Sequence, residues 1–168
     1  MAVQSAHDRL QPSLLDRLTD NAPEDKRESA DQQTLTMLRL RQAVLRDLAW
    51  LLNVTNLATT SDDLPPLVAK STVNFGIAGI TGLVQYSGKR GSLENMLAEA
   101  IRAYEPRINP DTLKIRAREQ KDDQPVPALV FEIAGELWAQ PVPQQLFLET
   151  SIELETRLAL VTDARAAG

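Results

Sequence analysis

The chain has no cysteine, a single histidine (His7), and only three Phe, two Tyr and two Trp. Without cysteine there is no disulfide framework, no thiolate zinc site and no Cys nucleophile. One histidine, in a polar N-terminal stretch, excludes a His-based triad and a multi-His metal centre within one chain. Nothing in the sequence therefore asks for a metal or another cofactor. No apolar run approaches the ~18 residues that a spanning helix needs. Met1 to Leu10 lacks the apolar stretch of a secretory signal. These absences lead us to expect a cytoplasmic protein in a reducing compartment. Basic residues are also in deficit, 18 Lys and Arg against 23 Asp and Glu, for a net charge of −5. The overall field opposes a polyanion, which leaves only a local basic patch for nucleic acid.

What is present is ordinary for a soluble globular chain: 43% hydrophobic and 24% charged residues over 168 positions. That is one domain's worth of chain with enough apolar material for a core. We expect residues 1–33 to form a flexible N-terminal segment, 34–156 an α+β domain, and 157–168 a tail. Within the first part, Leu14, Leu15 and Leu18 share one face of a helical turn after Pro12. The run from Thr19 to Gln33 is rich in Asp, Glu, Asn and Ser and reads as a polar linker. A leucine cluster ahead of such a linker is either a docking segment for a partner or a turn folded back on its own domain.

The spacing predicts a long helix over Thr34–Asn53. Met37, Leu38, Val44, Leu45, Leu48, Leu51 and Leu52 recur at three- and four-residue steps, with Arg39, Gln42, Arg46 and Asp47 opposite. Leu64-Pro65-Pro66 opens a shorter helix with Pro in its first turn, with Leu67, Val68 and Val73 inward and Gly76 as its stop. Ile77–Tyr86 reads as an apolar, glycine-bearing loop, and Gly88-Lys89-Arg90-Gly91 as an exposed basic turn. Ser92 is placed to cap a third helix, Leu93–Tyr104, which Pro106 terminates. From Leu113 the period changes to two. Leu113, Ile115 and Ala117 alternate with Lys114, Arg116 and Arg118; Leu129, Phe131 and Ile133 follow, with Gly135 as a possible bulge; Leu146, Leu148, Ile152 and Leu154 come last. Helices followed by strands predict an α+β fold, N-terminal helices packed on a three-stranded antiparallel meander.

Three groups of residues bear on chemistry. Glu105, with Asp111 near it in sequence, invites comparison with a glycosidase carboxylate pair, but no cleft or second acid stands out. The basic turn at 88–91 has the GxxG form that clamps RNA backbone in KH domains, yet the strands that should surround it are missing. The row Lys114, Arg116 and Arg118 and the row Glu149, Glu153 and Glu155 read in two ways: they face each other across the sheet, or one lies on an edge open to another chain.

Five segments in order carry a family resemblance: Ser13-Leu14-Leu15-Asp16-Arg17-Leu18; Arg41 to Asn53; Ser71–Gly76 with Gly79–Leu83; Tyr104-Glu105-Pro106-Arg107-Ile108; and Phe131–Trp138. Together they resemble the TssE family of type VI secretion baseplate subunits, which belongs with the wedge proteins of contractile phage tails and is lysozyme-like in some naming. The resemblance implies a structural, non-enzymatic component that joins the baseplate wedge and starts assembly of the contractile sheath. It implies as partners the wedge subunits TssF, TssG and TssK, the spike hub VgrG and the sheath proteins TssB and TssC, at a membrane-docked baseplate. It also implies that Glu105, Pro106 and Arg107, and Leu14, Leu15 and Leu18, contact partners. A pairing of Arg107 with Glu105 or a neighbouring acid inside the domain is the plainer reading of the same residues. The alternatives to the structural role are a peptidoglycan-cleaving hydrolase and an RNA-binding module.

Overall fold

A computed structural model describes residues 13–19, 24, 37–57, 64–79, 90–118, 127–138, 143–156 and 158–164. The expectations for residues 1–12, most of the linker, and Gly88 and Lys89 lie outside the described residues. The chain forms α1 (Leu14–Leu18), α2 (Met37–Asn53), α3 (Pro66–Ala69), a 3-10 turn (Thr72–Asn74), α4 (Arg90–Tyr104) and four strands. These are β1 (Lys114–Arg118), β2 (Ala128–Leu137), β3 (Gln144–Glu153) and β4 (Ala159–Asp163). They pair in chain order as one antiparallel sheet, β1-β2-β3-β4.

The α+β class and the meander are as expected, but the sheet has four strands rather than three. The fourth comes from the segment expected to be a tail. Ala159, Val161 and Asp163 turn toward the core side while Leu160 and Thr162 face out. With a large leucine outside and a small alanine inside, the period-two signal is inverted over five residues, and register alone reveals the strand.

One face of the sheet and the helices α2 and α4 enclose the core. α2 lies against β4 and α4 against β1. Val44, Leu48, Leu51 and Ile101 from the helices meet Ile133, Leu137, Leu146 and Leu148 from the central strands. A second cluster joins Leu52, Ile77, Leu93 and Leu97 to Phe131 and Ile152. The helix stripes are mostly as the spacing predicts, with two exceptions in α2. Leu38 is exposed, and Leu40 with Ala43 is buried instead. Leu38 lies near the start of α2, on its solvent side.

Three local expectations change. The second helix breaks into α3 and a 3-10 turn, leaving Leu67 and Val73 exposed rather than inward. The four-residue α3 is too short to bury a stripe. α4 starts at Arg90, so Ser92 lies inside the first turn and is not the cap, and Arg90-Gly91 is helix rather than turn. Gly135 is not a bulge, because β2 pairs one-to-one with β3 from Ala128 to Leu137. Its missing side chain admits the loop after α4 instead: a Cβ there would lie 3.2 Å from Ile108 Cγ2.

Gly76 is where the chain needs glycine most. Its φ is +123°, and a Cβ would fall 2.4 Å from the Val54 carbonyl oxygen. This close approach lets Ile77 N–H reach Val54 C=O and Asn56 N–H reach Ile77 C=O, locking the loop onto the end of α2. Gly76→Ala combines left-handed strain with a backbone clash. It is expected to lower unfolding stability by about 1–3 kcal/mol, read as a falling urea midpoint. An unchanged midpoint would show that the loop shifts without cost.

Candidate functional site: the Glu-Pro-Arg groove

Glu105 ends α4, and Pro106 stops the helix because it supplies no N–H and restrains the preceding residue. The next residues cross to the sheet. Trp138 N–H donates to Arg107 C=O (2.8 Å), Asn109 N–H donates to Glu136 C=O (2.8 Å), and Ile108 bridges Leu137. The Glu-Pro-Arg turn is therefore stitched to the end of β2. Pro106 is exposed, Arg107 half-buried and Glu105 only 3% exposed.

Arg107 satisfies the buried acid. Its Nε donates to Glu105 Oε1 (2.6 Å), its backbone N–H donates to the same oxygen (3.1 Å), and an Nη donates to Glu105 Oε2. The same Nη reaches Asp47 Oδ2 on α2 at 2.6 Å. Burial alone would push the Arg107 pKa down, but Glu105 and Asp47 outweigh it and hold the pKa above the usual arginine value. Asp47 also accepts from Arg46 Nε at 2.9 Å, and Arg46 Nη1 pairs with Asp16 of α1. The result is a continuous chain of charges, Glu105–Arg107–Asp47–Arg46–Asp16, linking α4, α2 and α1. Arg46 additionally lies over the Trp50 ring, 5.2 Å from its centroid. That is the geometry of a cation–π contact.

α1 thus folds back onto its own domain, one of the two readings open to the leucine cluster. Ser13 caps it, accepting from Asp16 N–H at 3.2 Å while its hydroxyl donates to Asp16 Oδ2 at 2.7 Å. Leu15 is 44% and Leu18 74% exposed. Ser13 and Leu15 share the lining of a groove of about 390 Å³ with Arg46, Trp50, Leu51, Phe75, Tyr104 and the Glu-Pro-Arg turn. The Phe75 and Tyr104 rings meet edge to face at 5.3 Å. Tyr104 Oη donates toward the carbonyls of Ser71 (3.1 Å) and Asn74 (2.8 Å), pinning the central loop beside the groove.

Two segments expected to dock partners, distant in sequence, are therefore one site. The sequence reading missed the residues that join them, Arg46, Asp47 and Trp50. It placed Arg46 and Asp47 on the solvent face of α2, where a charge signals nothing by itself. The available clue was the i, i+4 spacing of Arg46 and Trp50. Among the described residues no group of three His, Asp or Glu is placed to hold a metal ion. Both oxygens of Glu105 are taken by Arg107, and Asp111 is exposed on the loop beyond, where its backbone N–H donates to Asn109 Oδ1 (3.1 Å) as part of a turn.

The two charged rows do not face each other as neighbours, because β2 separates β1 from β3. Arg116 stands opposite Glu132, which stands opposite Glu149. Arg118 Nε pairs with Glu132 Oε1 at 2.9 Å, an exposed pair of small energetic weight. Each border of the sheet is touched by a side chain from a helix. Glu94 of α4 accepts from Ala117 N–H of β1 at 2.6 Å. At the opposite border Asn53 imitates a strand: its Oδ1 accepts from Ala159 N–H (2.9 Å) and its Nδ2 donates to Ala159 C=O (2.8 Å). Arg41 bridges to Asp163 further along β4.

A comparison with known protein families identifies the chain's family. The model of the family "baseplate wedge protein gp25" matches residues 38–142, which hold α2, the central loop, α4, the Glu-Pro-Arg turn and the first two strands. The match covers well over half of the chain, and the chain belongs to this family of structural baseplate components. No curated protein and no solved structure matches it. No helix among the described residues is long and apolar enough to cross a membrane.

Removing Arg107 strands a buried carboxylate. Arg107→Ala is expected to lower stability by about 3–5 kcal/mol, the usual cost of breaking a buried pair from one side. Arg107→Ala with Glu105→Gln should recover part of that loss; equal denaturation midpoints for both variants would contradict the pairing. The Asp16 carboxyl is held below its ordinary value of 3.8, chiefly by its hydrogen bond from Arg46. A lowered pKa means that docking of α1 gains from ionised Asp16 above about pH 3.8 and loses that gain as pH falls through the lowered value. Acid titration should therefore release α1 before the core unfolds, visible as a change in Trp50 emission that is absent in Asp16→Asn.

Proposed function

We propose that the protein is the TssE-type wedge subunit of a type VI secretion baseplate, a non-enzymatic part that joins the wedge and starts the contractile sheath. The observation that carries the reading is the family match running through the Glu-Pro-Arg turn and everything that supports it. The N-terminal signature Ser13–Leu18, which lies ahead of that match, favours the type VI branch over a phage tail. Its place of work is the cytoplasmic side of a membrane-docked baseplate.

The expected partners fall on two surfaces. Glu105, Pro106 and Arg107, with Leu14, Leu15 and Leu18, belong to the wedge-facing surface, whose partners are TssF, TssG and TssK around the VgrG hub. Pro106, Leu15, Leu18 and Trp50 are exposed there. Arg107 shapes this surface by fixing the turn, since its Nε and one Nη are engaged by Glu105 and Asp47. The second surface is a sheet border, which accepts a strand from the sheath proteins TssB and TssC through main-chain bonds. On β4 the pairing parity turns the Val161 N–H and C=O away from β3, between the side chains that hold Ala159 and Asp163. On β1 the same parity turns Ile115 outward next to the Glu94-bound Ala117.

Co-purification of the full chain with TssF and TssG tests the wedge role; failure to associate when all are co-expressed would overturn it. Proline at an outward-facing position of an edge strand removes a donor without breaking the sheet. One of Val161→Pro and Ile115→Pro is therefore expected to abolish sheath formation while the wedge still assembles. Normal sheaths with both variants would exclude strand addition.

A further inference from the structure

α1 forms one wall of the groove beside the Glu-Pro-Arg turn, and its hold there is incomplete. α1 is five residues long, far too short to be helical without a surface to hold it. Its hold rests on Asp16 against Arg46 and on Leu15, which keeps nearly half its area in solvent. Arg46 is not saturated by this contact. Its Nε serves Asp47 and its Nη1 serves Asp16, while Nη2 is buried with no hydrogen-bond acceptor among the described residues. A buried guanidinium donor left unpaired costs of the same order as a hydrogen bond, so the site favours an acceptor that reaches both Nη atoms. Beside α1 the groove still offers the Trp50, Phe75 and Pro106 surfaces for apolar contact.

We propose that the surface on which α1 rests, beside Arg46 and bordering this groove, is a receptor for a short leucine-bearing helix whose carboxylate caps Arg46, that α1 covers it in the free chain as an internal stand-in, and that a wedge partner's helix of the same chemistry replaces α1 on assembly. This deepens the reading of the Glu-Pro-Arg region as a partner surface and rests on it. The occupant's chemistry is written in the groove: apolar residues one helical turn apart against Trp50 and Pro106, and an acid over the Arg46 fork. A carboxylate reaching both Nη atoms supplies what Asp16 leaves unmet, which gives a partner the advantage over α1. Displacement frees Leu15 and Leu18 at the same moment. The chain thereby keeps an apolar surface partly covered until a partner arrives, which limits contacts between free copies.

The test needs no baseplate protein. A fluorescent peptide with the sequence of residues 11–20 is added to the full chain and binding is followed by anisotropy. In the wild-type chain the tethered α1 competes from an effective concentration on the order of 1 mM, so the peptide binds weakly. Asp16→Ala in the chain loosens the internal copy and should tighten peptide binding about fivefold, the factor that a part-exposed ion pair of about 1 kcal/mol supplies. A peptide carrying the Asp16→Ala change should bind at least fivefold more weakly to that chain. Arg46→Gln should abolish the gain, with circular dichroism confirming that the variant is folded. Equal peptide affinity in wild-type and Asp16→Ala chains, binding that ignores Arg46, or no binding to any chain would each overturn the proposal. Those outcomes leave association with TssF and TssG untouched, so the two readings fail separately.

Discussion

A buried carboxylate at the end of a helix organises this molecule. Glu105 is almost without solvent, and a charge in that position persists only with a partner that satisfies both oxygens. Arg107, two residues on, can supply that partner only because Pro106 ends the helix and turns the chain back. Once Arg107 faces inward, the Nη that serves Glu105 also meets Asp47, and α2 is tied to the end of α4. The same turn carries Arg107 C=O and Asn109 N–H onto β2, so the helical layer and the sheet are joined at one short loop. The three residues of the motif therefore act first on their own domain, as the brace that sets the surface around them. Any contact with another subunit is made by a surface whose shape this brace holds.

The sheet shows a related economy. An edge strand with free backbone groups invites association, and on both borders here a helix side chain takes up backbone groups. Glu94 takes an N–H of β1, and Asn53, whose amide has the same donor and acceptor as a peptide group, takes both groups of Ala159. Such single contacts are small, of order 0.5–1.5 kcal/mol net for a hydrogen bond, and a full incoming strand outweighs them. The outer face of the same sheet keeps Phe147, Leu158 and Leu160 exposed among acids. The charged rows there are solvated and mixed in sign, with Glu132 between the arginines and Glu149.

Much of the architecture was legible in the residues. The three-and-four spacing of Val44, Leu48 and Leu51 and the switch to alternation after Leu113 are local signals that no tertiary contact overrides. β4 was not legible, because Ala159 is too small and Leu160 too large for the sides they occupy. The failure at Leu67 and Val73 has the same root: a four-residue helix has no stripe, and only the packing of the loop on Val54 decides which side chains are covered. Within the site, Glu105 and Arg107 were visible as a motif, whereas Arg46, Asp47 and Trp50 looked like an ordinary polar face.

The sequence by itself determined the two long helices, the meander of the first three strands, the stop at Pro106 and the lack of thiols and of a second histidine, since each follows from local periodicity, backbone restriction or residue type. Only the tertiary structure decided that the leucine segment at 14–18 lies on the Glu-Pro-Arg groove and that Asp16, Arg46, Asp47, Arg107 and Glu105 form one line of charge. The reason is physical: periodicity reports which side of an element meets the core, but ion pairs and grooves depend on where elements distant in the chain come to rest.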